Sequence, residues 1–419
     1  MFHRMAFGAL ALLGATTVLC SCSSRSVGSD PSDPVDPVDP VPECTVLSYT
    51  FDIHYLNNEL VNLEPMPLEA SGSWVYYTDT GTGGSNSPDD PEIFVVNTDT
   101  EAVSQVTADD RQTRLLDADG RAVLWADSAG VYGEPSTLYF QPDAEQLVEL
   151  GQYSLHYPID SMGFYTEAPH RLVDGRTAAW SSDTGVYYYD GAQVIEILRT
   201  ESPNWALPYL RDGTVVFALW DGNDNEIHRW RDGTLEQLTD NNLPDDRPGV
   251  SDGRVFWACN ASICVWDEAD PEVRVLDTGD WCHEPDADQG QAVWICDDQV
   301  KVYDGETVSQ LTSTDQIRSG PRIQNGRIVW LEIQREDPPD YYTERGRIQF
   351  SDGTDIYEVA TIGLPCIYCG AYWPPVGFSF TGELIAWTYA LQPDDPDSPD
   401  HYGVGFSAYA KVQEITDCE

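Results

Sequence analysis

Apolar side chains in this chain come in short bursts, each led by a glycine turn and separated from the next by polar turn residues. The burst returns eight times: GSWVYY from Gly72, GRAVLW from Gly120, GRTAAW from Gly175, GTVVFALW from Gly213, GRVFW from Gly253, GQAVW from Gly290, GRIVW from Gly326 and GELIAW from Gly382. Most copies end on tryptophan. A run alternating apolar and polar positions follows, as in a half-buried strand. The unit from Gly213 shows the grammar: TVVFALW, the turn-rich DGNDNE, then EIHRW, an RDG turn and TLEQLT. Asn, Asp and Gly gather where the chain must reverse. The same hairpin recurs as EIFVVNTDTEAVSQVT from Glu92 and QVKVYDGETVSQLT from Gln299. Each unit thus has an inner strand before the glycine turn and three strands after it. Helical periodicity of useful length is absent outside the N-terminal apolar stretch.

Successive lead glycines lie 48, 55, 38, 40, 37, 36 and 56 residues apart. Four-stranded units repeating on that scale predict an all-β fold, a β-propeller. The repeat count predicts eight blades, or seven if the first or last unit only completes another. The tryptophans are expected to stack between blades, where their area fills the taper. An open ring would expose strand edges, so first and last strands are expected to share a blade. TVLSYTFDIHYL, from Thr45, is available to meet FSAYAKVQEIT near the C-terminus. The DGRxxW turn-and-strand and the EIxxWDG…xxQLT hairpin resemble the repeats of bacterial exported propellers of the TolB-like and WD40-like kind, over about residues 65–417. TolB-type rings differ in blade number and carry a separate N-terminal domain, so the resemblance implies the fold and not a role in the Tol system.

The chain opens differently. Arg4 precedes an apolar stretch of 15 residues, 5–19, shorter than the roughly 20 a spanning helix needs. It has the form of a signal peptide. LCSC, Leu19 to Cys22, resembles the bacterial lipobox, with Cys22 as the lipidated residue. Ser23 after it resembles the sorting pattern of outer-membrane lipoproteins. Residues 23–43 are rich in Asp and Pro, extended and self-repelling. The expected organisation is a lipoprotein signal peptide at 1–21, a lipidated N-terminus and linker at 22–43, and a propeller domain at 44–419. The expected location is the bacterial outer membrane, by lipid anchor.

With 71 acidic and 22 basic residues the formal charge is −49. Phosphate contacts need Lys/Arg stripes, and none is present, so nucleic acid is not an expected partner. The acid excess suits solubility or attraction of cations and basic partners. Of ten cysteines, Cys20 leaves with the signal peptide and Cys22 takes lipid. The remaining eight suggest disulfides in an exported protein, with many possible pairings. Cys259 and Cys264 sit on the arms of one hairpin, and Cys282 and Cys296 on successive strands. Cys366 and Cys369 form CIYC, and Cys44 and Cys418 flank the segments that ring closure would join. CIYC lacks both a second ligand pair for zinc and the helix start of a redox motif.

Catalytic signals are weak. GVSDG, Gly249 to Gly253, matches the nucleophile-elbow pattern, but it aligns with the inter-strand turn VDGR and QNGR of other units. The histidines, His3, His54, His156, His170, His228, His283 and His401, show no HExxH spacing. No cofactor is expected beyond calcium, for which Asp221, Asn223 and Asn225 of DGNDNE offer oxygen ligands without the glycine of a calcium loop. NAS at Asn260 matches a glycosylation acceptor. Long insertions at 78–91, 333–346 and 390–403 join second to third strands in units one, seven and eight, and 362–375 joins two units. These loops predict a binding face of Asp89, Asp90, Tyr341, Tyr342, Tyr372, Trp373, Asp394, Asp395, Asp397 and Asp400. The expected function is non-catalytic binding or scaffolding at the cell envelope, with an envelope protein or glycan as partner. The alternative is a propeller lyase or glycoside-active enzyme with its site in the central funnel. Clustered His, Arg and Tyr in the funnel would favour that alternative.

Overall fold

A computed structural model describes residues 44–60, 68–79, 92–108, 111–128, 136–143, 146–153, 171–200, 208–334, 344–364, 378–391 and 404–418. Its main body is Val46–Thr416; Met1–Thr45 with Asp417–Glu419 form a second unit, described only at the strand ends it contributes. The described residues form eight four-stranded antiparallel sheets and no helix, which makes the body an eight-bladed β-propeller. Blades one to seven follow the chain at 69–105, 112–153, 173–199, 209–237, 245–278, 282–310 and 317–364. Blade eight combines Phe378–Phe380, Leu384–Leu391 and Val404–Cys418 with the first strand, Cys44–Leu60, on its outer edge. Each inner strand touches the next around the axis, and Phe378–Phe380 touches Glu69–Ser71 of blade one. The ring therefore closes on eight blades by sharing a sheet between the chain's two ends, and the seven-blade option falls away.

Seven of the eight glycine turns are two-residue turns of two kinds. Asp212-Gly213, Asp252-Gly253, Gln289-Gly290 and Asn325-Gly326 have positive φ at both residues, the type I′ pattern. In blades one to three, Gly72, Gly120 and Gly175 instead occupy the first turn position, as in type II′ turns. This shift of one residue changes the count from glycine to tryptophan. Counted from the start of each second strand, the fourth residue is Tyr77, Trp125, Trp180, Phe217, Trp257, Trp294, Trp330 and Trp387. All eight are at most 6% exposed. Trp220, which the glycine pattern placed in this column, ends its strand and is 47% exposed, and Phe217 holds the position instead.

Strand alternation explains the packing. The second and fourth residues of the second strand face the preceding blade, and the third faces the next. Val255 and Trp257 pack with Tyr209, Val216 and Ala218 of blade four, whereas Phe256 packs with Ala292, Trp294 and Tyr303 of blade six. The same alternation builds one apolar cluster at each of the eight interfaces. The aromatic column thus fills the space between blades, as the sequence predicts.

Two disulfides agree with the expected groupings. Cys259–Cys264 ties the hairpin of blade five, and Cys282–Cys296 joins opposed residues of the first two strands of blade six. Cys366 and Cys369, and the side chains of Cys44 and Cys418, lie outside what is described.

Candidate functional site

The inner strands meet around the axis, and each has a sheet partner on one side only. Their remaining backbone N–H groups need other acceptors. A repeated tripeptide supplies them: Asp117-Ala118-Asp119 in blade two and Asp286-Ala287-Asp288 in blade six. Alternation along a strand sends both aspartates of a copy toward the following blade. Asp117 Oδ2 accepts from the N–H groups of Leu172 (2.5 Å) and Val173 (2.7 Å), and Asp119 Oδ2 accepts from Gly175 (2.7 Å). Asp286 Oδ2 accepts from Ile323 (2.9 Å), and Asp288 Oδ2 from Asn325 (2.6 Å). Serine hydroxyls do the same elsewhere. Ser71 Oγ accepts from Gly120 (2.6 Å), Ser379 Oγ from Ala70 (3.0 Å) and Ser251 Oγ from Gly290 (3.1 Å). Ser251 is the serine of GVSDG, buried and ending an inner strand before its turn, so the motif is a blade-joining turn.

Longer side chains bridge further. Arg211 of blade four forms an ion pair with Asp288 of blade six, and its Nη1 donates to the carbonyl of Ala287 (2.7 Å). The Tyr209 hydroxyl donates to Asp286 Oδ1 (3.3 Å). Asp288 is fully buried.

Besides the Leu115/Asp117 bulge of blade two, three inner strands carry bulges, at Asp246/Gly249, His283/Asp286 and Ser319/Arg322. Each has a left-handed residue before a proline: Arg247 (φ 53°), Glu284 (φ 56°) and Gly320 (φ 59°). Proline is tolerated because an inner strand is an edge strand. Bulges re-aim side chains and gather beside functional sites. Here they bring Glu284 to Arg247 (3.9 Å), His283 (3.5 Å) and the N–H of Gly320 (2.6 Å). Trp281, half exposed, lies over the His283 ring at 4.1 Å.

The residue types that would favour catalysis thus stand on the inner strands in two groups, Tyr209 and Arg211 against Asp286 and Asp288, and His283 and Arg247 against Glu284. The sequence pattern singles out none of Tyr209, Arg211 and Arg247 and gives His283 only as one of seven histidines, although the repeated Asp-Ala-Asp before the turn was a readable signal. Their bonding decides what they can do: the carboxylates named above already accept from backbone N–H groups of the next blade.

Burial alone would raise the Glu284 carboxyl, but the hydrogen bond and charge of His283, the charge of Arg247 and the Gly320 N–H hold it at about 2. Burial pushes Asp117 up to about 7, against the pull of neighbouring N–H groups and Arg171. The signs differ. Glu284 contributes stability above its unfolded value, lost as pH falls from 4.5 toward about 2. Asp117 retains a proton in the folded state that the unfolded chain releases above 3.8, so stability drops as pH rises from there to about 7. That drop amounts to at most about 4 kcal/mol. Denaturant midpoints measured across pH should peak near pH 4–5. Asp117→Asn should flatten the slope between pH 4 and 7; an equally steep slope in that variant would assign the effect to the acid excess instead.

The turn after Trp220 forms a second polar centre. Asn225 pairs across the hairpin with Trp220, and Asn223 donates to Asp221 and Asp224. Asp221, Asp224 and Glu226 converge, each offering an oxygen within 4.8 Å of the others.

The expected binding-face residues, Asp89, Asp90, Tyr341, Tyr342, Tyr372, Trp373, Asp394, Asp395, Asp397 and Asp400, lie outside the described residues. The strands that flank three of these insertions are second and third strands of blades one, seven and eight. Blade eight contacts both of the others. The strands also reach into the expected insertions, to Asp79, Gln334 and Leu391.

No family model matches the sequence, and no curated protein matches it. Solved structures do. The chain is similar to a prolyl endopeptidase at 10% identity and TM-score 0.49, covering 80% of this chain and 55% of that one. It is similar to the β-propeller domain of the Trilobed protease from Pyrococcus furiosus at 13% identity and TM-score 0.46, covering 84% and 95%. It is also similar to TolB from Acinetobacter baumannii at 15% identity and TM-score 0.32, covering 53% and 60%. The chain spans little more than half the length of the prolyl endopeptidase. The blade count rests on this chain's own strand pairing.

Proposed function

We propose that this chain is a lipid-anchored, non-catalytic β-propeller acting as a binding or scaffolding module at the bacterial cell envelope. In this reading residues 1–21 are a signal peptide, 22–43 a lipidated tether, and 44–419 the propeller domain. Its neighbours are the outer membrane, through Cys22, and an envelope protein or glycan. The observation that carries the non-catalytic reading is the use of the axial carboxylates as blade-to-blade acceptors. An acid or base of that kind is committed before any substrate arrives. A single feature favours the alternative, a lyase or glycoside-active enzyme: the left-handed Glu284 beside His283 and Arg247, under the half-exposed Trp281.

Capture from envelope extracts tests the reading. The lipidated protein should retain a partner, and deleting residues 392–399 should abolish retention without much loss of thermal stability. Capture that persists in the deletion and is lost on Glu284→Gln would move the site to the funnel. Cys22→Ser should shift the protein from the membrane to the soluble fraction; a variant still membrane-bound and uncleaved would remove the anchor.

A further inference from the structure

We propose that the turn between the second and third strands of blade four binds a divalent, oxygen-seeking cation, Ca²⁺, on the carboxylates of Asp221, Asp224 and Glu226. The turn is organised before any ion arrives. The Asp221 N–H donates to the Asp224 carbonyl (3.0 Å), and Asp221 Oδ1 accepts from the N–H groups of Asn223 (2.7 Å) and Asp224 (3.2 Å). One oxygen from each of the three acids lies within 4.8 Å of the others. Calcium–oxygen distances are about 2.3–2.6 Å, so one ion between them can reach all three.

Burial makes the group more than an acidic surface patch. Asp224 is 7% exposed and Glu226 0%. Asp224 Oδ1 accepts from Asn223 Nδ2 (3.0 Å), and Glu226 Oε1 from the Asn241 N–H (2.9 Å). Asp224 Oδ2 and Glu226 Oε2 are buried and have no hydrogen-bond partner. Among the described residues no Lys or Arg pairs with any of the three acids. Buried, unpartnered carboxylate oxygens side by side are costly unless positive charge joins them.

The blade itself does not require a charge there. At the matching position blade six carries Gln299, whose Oε1 accepts from the Thr312 hydroxyl (3.1 Å), while Thr312 Oγ1 accepts from the Val300 N–H (3.0 Å). In blade four Thr239 Oγ1 accepts from the Ile227 N–H (2.8 Å) in the same way. Blade one carries a glutamate at this corner, Glu92, whose Oε2 accepts from the Thr107 hydroxyl (2.5 Å), so the repeat takes either a carboxylate or a neutral amide here. The donor set is all oxygen, with no His or Cys, which points to a hard cation. Calcium accepts irregular geometry built on a turn more readily than magnesium does.

The test uses the full chain and Tb³⁺ as a calcium stand-in. Trp220, half exposed and next to Asp221, should sensitise Tb³⁺ emission, and Ca²⁺ should quench it by competition. Ca²⁺ should also raise the melting temperature, reversibly with chelator. Glu226→Gln, which Gln299 indicates will fold, should weaken Ca²⁺ binding by at least about tenfold, because ligand charge tunes affinity over decades. In chelator it should melt no lower than the unaltered protein. Asp221→Asn, at the exposed end of the turn, should weaken binding with no fold penalty. Unchanged Tb³⁺ emission in both variants would place any bound ion elsewhere and overturn the proposal. So would a melting temperature that ignores Ca²⁺ but rises on acidification, since a proton would then be neutralising the acids.

Discussion

Trp330→Ala should cost the propeller about 3–5 kcal/mol in denaturant unfolding, the usual range for emptying a buried indole. Trp330 is fully buried and packs against Val293, Ile295 and Val300 of blade six. Its Nε1 has no hydrogen-bond partner among the described residues, so the loss is one of apolar area and contact. Trp330→Phe should therefore restore a large part of it. Trp220→Ala is the control. That side chain is 47% exposed, so its removal should change stability by no more than about 0.5 kcal/mol. The contrast separates position in the strand from distance to the lead glycine. Equal costs at the two sites would mean that the fourth-residue column does not carry the interfaces.

Asp288→Ala should also be severe, at about 3–5 kcal/mol, because it leaves a partner charge without its counterion. Asp288 is fully buried, holds Arg211 from two blades away and accepts from the Asn325 N–H. Asp288→Asn keeps an acceptor for that N–H and should cost less, since only the charge is lost. Arg211→Met combined with Asp288→Ala should be less damaging than the sum of the two single changes, because neither then strands a charge. Melting and denaturant curves on the four proteins give the coupling directly. Strict additivity would show that the pair does not hold blades four and six together. A large coupling would support the view that the axial charges serve the ring, which underlies the proposed non-catalytic role.

Much of the architecture was open to reading from the chain. The glycine turns and period-two bursts announced four-stranded units, and their number matched the blade count. The free strand at Thr45 announced closure, and the placing of Cys259 with Cys264 and of Cys282 with Cys296 on neighbouring strands was legible, with the pairing itself left to the structure. These features are local: a turn's backbone and the side of a strand a residue faces depend on its near neighbours. The tertiary structure decided the rest. Phe217 rather than Trp220 fills blade four's interface, because the fourth residue of the second strand faces the preceding blade, whereas Trp220 stands seventh, at the exposed end of that strand. Asp117 and Asp286 find their partners in other blades, Val173 and Ile323, at distances along the chain that no local period encodes. Glu226 meets Asn241 only because the segment after the fourth strand folds back against the turn. Local pattern determines which way a side chain points from its strand, whereas ring closure determines what lies there to meet it.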